Sequence, residues 1–199
     1  MDASDLTGFG DAVLGVALPP GVEAALAQAG RHRADPVLAM AALMRANALA
    51  PDHPAVLIAL YRHYFYDHQF ACARDVARRA LFVATRAIGL PPIWRQVPPR
   101  PLPGARFDAA TRFFLFTLKA YAYLCLRLGD AIEARDALAL LRALDPEDRV
   151  GGALLETVRL RRECGTDDDE EDEASGLPAA DHDPRAALPD RTAGVAHHG

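Results

Sequence analysis

Apolar residues recur at intervals of three and four along most of the chain, the spacing of residues on one face of an α-helix. Proline and aspartate punctuate this pattern. Proline suits the first turn of a helix, so Pro20, Pro36 and Pro54 indicate helix starts. Asp35, Asp52 and Asp108 are predicted to cap the helices that follow them. Seven helices are predicted, over residues 20–31, 36–50, 54–67, 70–88, 107–128, 131–144 and 148–163.

Small residues in these helices repeat at a fixed distance. Ala39 and Ala46 are followed 34 residues later by Ala73 and Ala80. A related stretch at 129–146 has the same internal spacing. A period of this size is typical of stacked helical hairpins, which bury an apolar face only when they pack against neighbouring units. We therefore expect an all-α fold.

The period is interrupted by a proline-rich insertion over residues 89–106. The distance from Ala73 to Ala134 is 61 residues, which is 34 plus 27. Proline at this density prevents regular helix. The insertion holds Trp94, the single tryptophan of the chain. A long segment of this kind is usually functional or disordered, and we expect Trp94 to serve as a second contact for a partner, or as part of a lid.

The 34-residue spacing, with Leu57, Leu60, Tyr61 and Tyr64 as large packing residues of the second unit, resembles the tetratricopeptide repeat family. The resemblance is to a bacterial protein with three repeats. It implies a superhelical array of antiparallel helical hairpins over residues 20–163, closed by a capping helix. A segment at 1–19 precedes the array, and an acidic, disordered tail at 164–199 follows it. Gly30 departs from the family pattern, which places an aromatic residue there.

The resemblance also implies a concave groove, lined by the first helix of each repeat. The groove is basic and aromatic, and none of its implied residues is a carboxylate. Such a surface would bind an acidic or C-terminal segment of another protein, since arginine pairs with carboxylates and aromatic rings anchor apolar groups. The implied groove residues are Gln28, Arg31, His32, Arg62, Phe65, Tyr66, Lys119, Tyr123 and Arg127.

These features favour an adaptor or chaperone that holds a peptide segment of a partner. Three alternatives stay open: a chaperone of the kind that keeps type III secretion translocators soluble, a self-assembling protein such as a homodimer, and a maturation factor whose partner carries the active site. Nucleic-acid binding is disfavoured. Residues 1–163 have 20 basic and 17 acidic residues, a net charge of only +3, and residues 164–199 have 2 and 10, a net charge of −8.

No motif predicts catalysis or a cofactor. His63 and His68 are five residues apart, which does not place them on one helix face, and no third ligand with suitable spacing accompanies them. Cys72 and Cys125 fall within apolar helical patterns and are predicted to be buried. An odd number of cysteines, an acidic N-terminal segment and the lack of a membrane-length apolar run all favour the cytoplasm.

Overall fold

A computed structural model describes residues 17–102 and 108–164. In these ranges the fold is all-α, with seven α-helices, one short 3₁₀-helix and no strand. The 3₁₀-helix, Trp94–Gln96, lies in the proline-rich insertion. The α-helices are α1 (Pro20–Arg31), α2 (Pro36–Leu49), α3 (Pro54–Tyr66), α4 (Phe70–Ala87), α5 (Ala109–Arg127), α6 (Ala131–Leu144) and α7 (Ala153–Glu163).

The helix starts follow the predicted chemistry, with one difference. Asp35 accepts hydrogen bonds from the amides of Val37 and Leu38, and Asp108 from those of Ala110 and Thr111, all at 3.1 Å. The prediction that Asp52 caps α3 is wrong. The cap is His53, whose Nδ1 accepts the amide of Ala55 at 3.2 Å. This bond requires an unprotonated Nδ1.

Three hairpins account for most of the packing: α1 with α2, α3 with α4, and α5 with α6. The repeated alanines lie buried in them, with Ala39, Ala46, Ala73, Ala80 and Ala134 at most 5% exposed. Small side chains allow two helices to approach closely, which explains the spacing seen in the sequence. The predicted all-α hairpin fold is thus confirmed.

Adjacent hairpins are joined by specific contacts. Arg79 on α4 reaches back to the first hairpin, where its Nη2 donates to Asn47 Oδ1 at 2.8 Å and to the carbonyl of Pro51 at 2.6 Å. Helix α5 packs along α4, and the rings of Phe65 and Tyr123 are 5.7 Å apart. The insertion therefore does not separate the second hairpin from the third.

The proline-rich insertion is anchored to the body by Trp94. Its side chain is 8% exposed, and its ring lies 5.8 Å from that of Tyr121. Val97 is also buried, and the amide of Leu102 donates to the carbonyl of Leu144 at 3.1 Å. The expectation that Trp94 contacts a partner is therefore corrected, because its ring is already packed inside this protein.

A polar network fastens the same insertion to α6. Arg95 pairs with Glu133 and, at 2.5 Å, with Asp136, while its guanidinium lies 4.7 Å from the Trp94 ring centre. The Tyr121 hydroxyl donates to Glu133 Oε1 at 2.6 Å. Burial alone would raise the pKa of Glu133, but the hydrogen bonds from Tyr121 and Arg95 outweigh it, and the pKa falls below its ordinary value of 4.5.

Helix α7 packs on α6 and α5, as expected of a capping helix, but it begins at Ala153 rather than at residue 148. Asp145 and Asp148 explain this later start. Their side chains accept hydrogen bonds from the amides of Val150 and Ala153 and hold the residues before α7 in a turn. A side chain at Gly152 would clash, since its Cβ would lie 2.7 Å from Leu141 Cδ2.

The predicted N-terminal segment, up to residue 16, and the acidic tail from residue 165 lie outside the described residues.

Within the described ranges, no helix combines the length and the apolar character needed to cross a membrane.

Cys125 is buried as predicted, whereas the prediction for Cys72 is wrong. Cys72 lies near the start of α4, and it is exposed. Burial raises the pKa of the Cys125 thiol to about 11.

We expect Ala73→Leu to lower the free energy of unfolding by about 1–3 kcal/mol, because Ala73 is fully buried where α3 and α4 touch. Urea unfolding followed by circular dichroism measures the change. Ala71→Leu is the matched control, since Ala71 is exposed on the same helix. Equal stability of the two variants would contradict the packing described for Ala73.

The Arg95 network predicts acid sensitivity. The pKa of Glu133 lies below 4.5, and the Arg95 hydrogen bond holds that of Asp136 below 3.8. Carboxylates with lowered pKa stabilise the fold above their unfolded-state pKa and lose that contribution as the pH falls. The free energy of unfolding should therefore decline below about pH 4.5, and Arg95→Met should make the decline shallower. Unfolding in urea between pH 7 and 3 tests this.

The matched control for that experiment is Arg100→Met, which removes the same charge from an exposed position in the same insertion. Its pH dependence should follow that of the wild type. Parallel curves for Arg95→Met and the wild type would show that the network does not contribute to stability.

The burial of the cysteines predicts their reactivity. In the native protein Cys72 should react with iodoacetamide, and Cys125 should react only after unfolding, since burial both shields its thiol and disfavours the reactive thiolate. Mass spectrometry of labelled peptides distinguishes the two sites. Equal labelling of Cys125 and Cys72 in native buffer would contradict the packing of α5.

Candidate functional site

Aromatic side chains from α3, α4 and α5 meet at the junction of the second and third hairpins. Phe65 is at the centre of this aromatic cluster. Its ring centre lies 5.6 Å from that of Tyr61, 5.9 Å from that of Phe70 and 5.7 Å from that of Tyr123. Such ring contacts stabilise beyond the apolar area they bury. We define the aromatic cluster by Tyr61, Phe65, Tyr66, Phe70 and Tyr123.

Arginine side chains lie over this cluster. The guanidinium carbon of Arg127 is 4.7 Å from the Phe70 ring centre and 6.0 Å from that of Tyr123, and its Nη1 donates to the Tyr123 hydroxyl at 3.2 Å. Arg62 lies 5.9 Å from the Tyr66 ring centre. The surface therefore combines rings with guanidinium groups, and Tyr66 itself is 62% exposed.

The cluster also affects the ionisation of Tyr61. Burial raises the pKa of this phenol well above its ordinary value, and the neighbouring phenols of Tyr123 and Tyr66 raise it further. Tyr61 is therefore a neutral side chain at physiological pH.

A cavity of about 310 Å³ opens beside the cluster, between α1, α2 and α3. We call it the Gly30 cavity because Gly30 lines it. A Cβ placed on Gly30 would meet no atom within 4 Å, so the space next to this residue is open. Its apolar lining includes Leu26, Ala29, Ala39, Leu43 and Ala59.

The polar lining of the Gly30 cavity comes from the turn after α1 and from the last turns of α3. It includes Arg33, Arg62, His63, Tyr66 and Asp67. Asp67 accepts a hydrogen bond from the Gln69 side chain. The expectation that the basic groove meets no carboxylate is thus corrected, since Asp67 lies at the rim with two arginines.

The structure brings five of the predicted groove residues into one region: Arg62, Phe65, Tyr66, Tyr123 and Arg127 form the cluster, its arginines and one wall of the cavity. The other predicted residues lie apart from the cluster. Gln28 accepts a hydrogen bond from Arg45 of α2. Arg31 is exposed and His32 half-buried at the end of α1.

Lys119 is placed elsewhere and has a structural contact. Its Nζ donates to the carbonyl of Val150 at 2.7 Å, which ties α5 to the turn before α7. Burial lowers the pKa of its ammonium, while Asp148 opposes the shift. Lys119 therefore supports the packing of the capping helix.

Sequence reasoning missed Phe70, Arg33 and Asp67 as residues of the site, and it gave Tyr61 only a packing role. The 34-residue spacing could have pointed to Phe70. Phe70 corresponds to Pro36, and each is the first residue of the second helix in its hairpin. The equivalent of Tyr64 in the first hairpin is Gly30, which lies 34 residues earlier. Its missing side chain indicated an opening, but only the structure shows which residues line it.

The part of the chain that the structure describes has no group of three or more histidine, cysteine, aspartate or glutamate side chains that could hold a metal ion. His63 and Asp67 line the Gly30 cavity, and His68 contacts Phe70 with ring centres 5.7 Å apart. In this arrangement His68 belongs with the aromatic rings.

The fold and this surface define an all-α protein of packed helical hairpins. No family model matches the chain, and no solved structure matches it. The chain is 37% identical over 115 residues to a protein of Azotobacter chroococcum mcd 1 named as an uncharacterized 19.8 kDa protein in the nifW 5′ region. The match covers 57% of this chain and 64% of the relative.

Proposed function

We propose that this chain is an adaptor or chaperone that binds a peptide segment of another protein on the surface formed by the aromatic cluster, its arginines and the Gly30 cavity. The observation that carries the proposal is the joining of Phe65, Phe70 and Tyr123 with Arg127, beside the exposed Tyr66 and an open cavity. Aromatic and arginine side chains are the types most enriched where proteins bind each other tightly.

The charge of the surface favours an acidic segment or a C-terminal carboxylate. Arg62 and Arg127 present guanidinium groups that can donate two parallel hydrogen bonds to one carboxylate. Asp67 also lines the cavity, but the two arginines of that lining, Arg33 and Arg62, leave its net charge positive. The proposal assigns the chain neither a catalytic step nor a cofactor, and it places the chain in the cytoplasm.

The tetratricopeptide resemblance supports the same role, since helical repeats of that class bind extended segments on the surface of their first helices. The named relative supplies a place to look for the partner. Its gene lies in the 5′ region of nifW, so we propose that partners be sought first among proteins encoded near the gene for this chain. The type III secretion and maturation-factor alternatives predict different neighbouring genes.

Self-assembly is a second candidate, and one observation favours it. Helix α2 exposes large apolar side chains, with Val37 77%, Leu49 61% and Met44 48% accessible to solvent. Contiguous apolar surface is a common feature of protein contacts. A homodimer formed through α2 would leave the aromatic cluster accessible, because the cluster is built from α3, α4 and α5.

The test is affinity capture of partners from the native cell extract by the wild-type chain and by Arg62→Glu/Arg127→Glu. We expect a partner that the wild type retains and the double variant loses, because the substitutions place carboxylates where the surface would bind carboxylates. A further binding measurement with the purified partner should show an affinity weaker by about tenfold, since attraction between opposite charges is replaced by repulsion.

The matched control is Arg112→Glu/Arg142→Glu, which changes the net charge equally at exposed positions away from the cluster. It should retain the partner. Loss of the partner by both variants would assign the effect to net charge, and identical captures by all three proteins would contradict the proposed surface. Light scattering at increasing concentration separately tests self-assembly through α2.

A further inference from the structure

The two junctions between hairpins correspond position by position in the sequence, but different side chains occupy them. Residues of the first and second hairpins correspond at a distance of 34, and those of the second and third at 61. The second helix of each hairpin starts in this register, since α2, α4 and α6 begin at Pro36, Phe70 and Ala131. The ends of the first helices agree to within one residue, because α1 ends at Arg31, α3 at Tyr66 and α5 at Arg127.

In the second junction, side chains of the protein itself fill the space. Phe70 lies under the guanidinium of Arg127 at 4.7 Å and against the ring of Phe65, and Tyr64 packs partly buried against the core. Tyr123, from the first helix of the third hairpin, closes the cluster.

In the first junction, the corresponding positions lack these rings. Gly30 corresponds to Tyr64, Pro36 to Phe70, Arg31 to Phe65 and Arg62 to Tyr123. The residues at these positions that line the cavity are Gly30, Pro36 and Arg62. By this sequence correspondence, positions that line the Gly30 cavity match positions that carry aromatic side chains in the next junction.

From this comparison we infer that the Gly30 cavity is a receptor for an aromatic side chain of the bound partner segment, with an acidic residue beside it. The inference rests on the proposed function and specifies its ligand. Leu26, Leu43 and Ala59 supply apolar walls for the ring, and Tyr66 stands at the opening. A volume of about 310 Å³ is at the lower end of ligand pockets, as expected for a site that takes one large side chain.

The acidic neighbour follows from the arginines at the rim. Tyr66, which corresponds to Arg127, already contacts Arg62, at 5.9 Å from the ring centre. Arg33 is exposed, and among the described residues its guanidinium has no hydrogen bond or ion pair. An aspartate or glutamate next to the inserted ring would provide Arg33 with a carboxylate.

The test uses three synthetic probes with blocked ends, so that no terminal carboxylate contributes: acetyl-GSDFDSG-amide, acetyl-GSDADSG-amide and acetyl-GSKFKSG-amide. Each is titrated into the full-length protein, and binding is followed by amide chemical shifts. The phenylalanine probe with aspartates should bind at least about tenfold more tightly than the alanine probe, because the ring is removed from water. It should also bind more tightly than the lysine probe, which meets Arg33 with like charge.

Gly30→Tyr should abolish this preference for phenylalanine, because it supplies the ring that Tyr64 supplies in the second hairpin. Gly30→Ala is the matched control. Its Cβ meets no atom within 4 Å, so the cavity stays open and the preference should remain. Arg33→Glu should weaken binding of both aspartate probes several-fold. The ratio of the affinities of the phenylalanine and alanine probes should stay the same. Thermal unfolding confirms that each variant is folded.

An unchanged preference for phenylalanine in Gly30→Tyr, or equal binding of the phenylalanine and alanine probes to the wild type, would overturn the inference. Leu6 and Phe9 are large apolar residues of the N-terminal segment, so Leu6→Ala/Phe9→Ala tests that segment as a competing occupant. Probe binding that appears only in this variant would also overturn the inference, because the cavity would then belong to the N-terminal segment. The proposed function is tested separately. A partner lost by Arg62→Glu/Arg127→Glu but bound normally by Gly30→Tyr would support the proposed function and overturn the inference about the cavity.

Discussion

The close approach of paired helices at buried alanines is the constraint on which the rest of the structure depends. Ala39 and Ala73 occupy the same place in successive hairpins, and both are almost fully buried. A larger side chain there would push the helices apart and shift the residues that follow on both. Because the distance between the paired helices is fixed at these alanines, side chains one or two turns away on one helix face the same residues of the other helix in each hairpin.

That register explains how the candidate site forms. Phe65 of α3 and Tyr123 of α5 are far apart in sequence, yet their rings are 5.7 Å apart because α5 packs along α4. The insertion between them does not disturb the register. Trp94, Tyr121 and the Arg95 network hold it against the third hairpin, so the extra residues leave the path of the helices unaffected.

Much of the fold could be predicted from sequence because it depends on local signals. Proline at helix starts, aspartate caps and the 34-residue alanine spacing gave the all-α hairpins, and helices α1 and α6 have the predicted bounds. The Asp52 cap was predicted wrongly because His53, one residue closer to the helix, accepts the amide of Ala55 instead. The start of α7 was missed because Asp145 and Asp148 hold the preceding turn.

The site was harder to predict because it depends on long-range contacts. Lys119 lies on a first helix, like the groove residues, but its ammonium reaches the carbonyl of Val150, a contact that no periodic pattern indicates. The insertion offered no periodicity either, and burial of Trp94 depends on Tyr121. The Gly30 cavity needed both the sequence and the structure. The 34-residue spacing shows that Gly30 stands where the second hairpin has Tyr64, and the structure shows that no other atom lies within 4 Å of a Cβ placed there.

The central claim is that an aromatic side chain of a partner fills the Gly30 cavity at the first junction. At the second junction, aromatic side chains of the chain itself fill the space. A crystal structure of the protein with acetyl-GSDFDSG-amide tests it most directly. The account predicts the phenylalanine ring inside the Gly30 cavity, between α1 and α3, with a carboxylate of the probe near Arg33. A ring bound on the apolar face of α2, with the Gly30 cavity empty, would contradict the account.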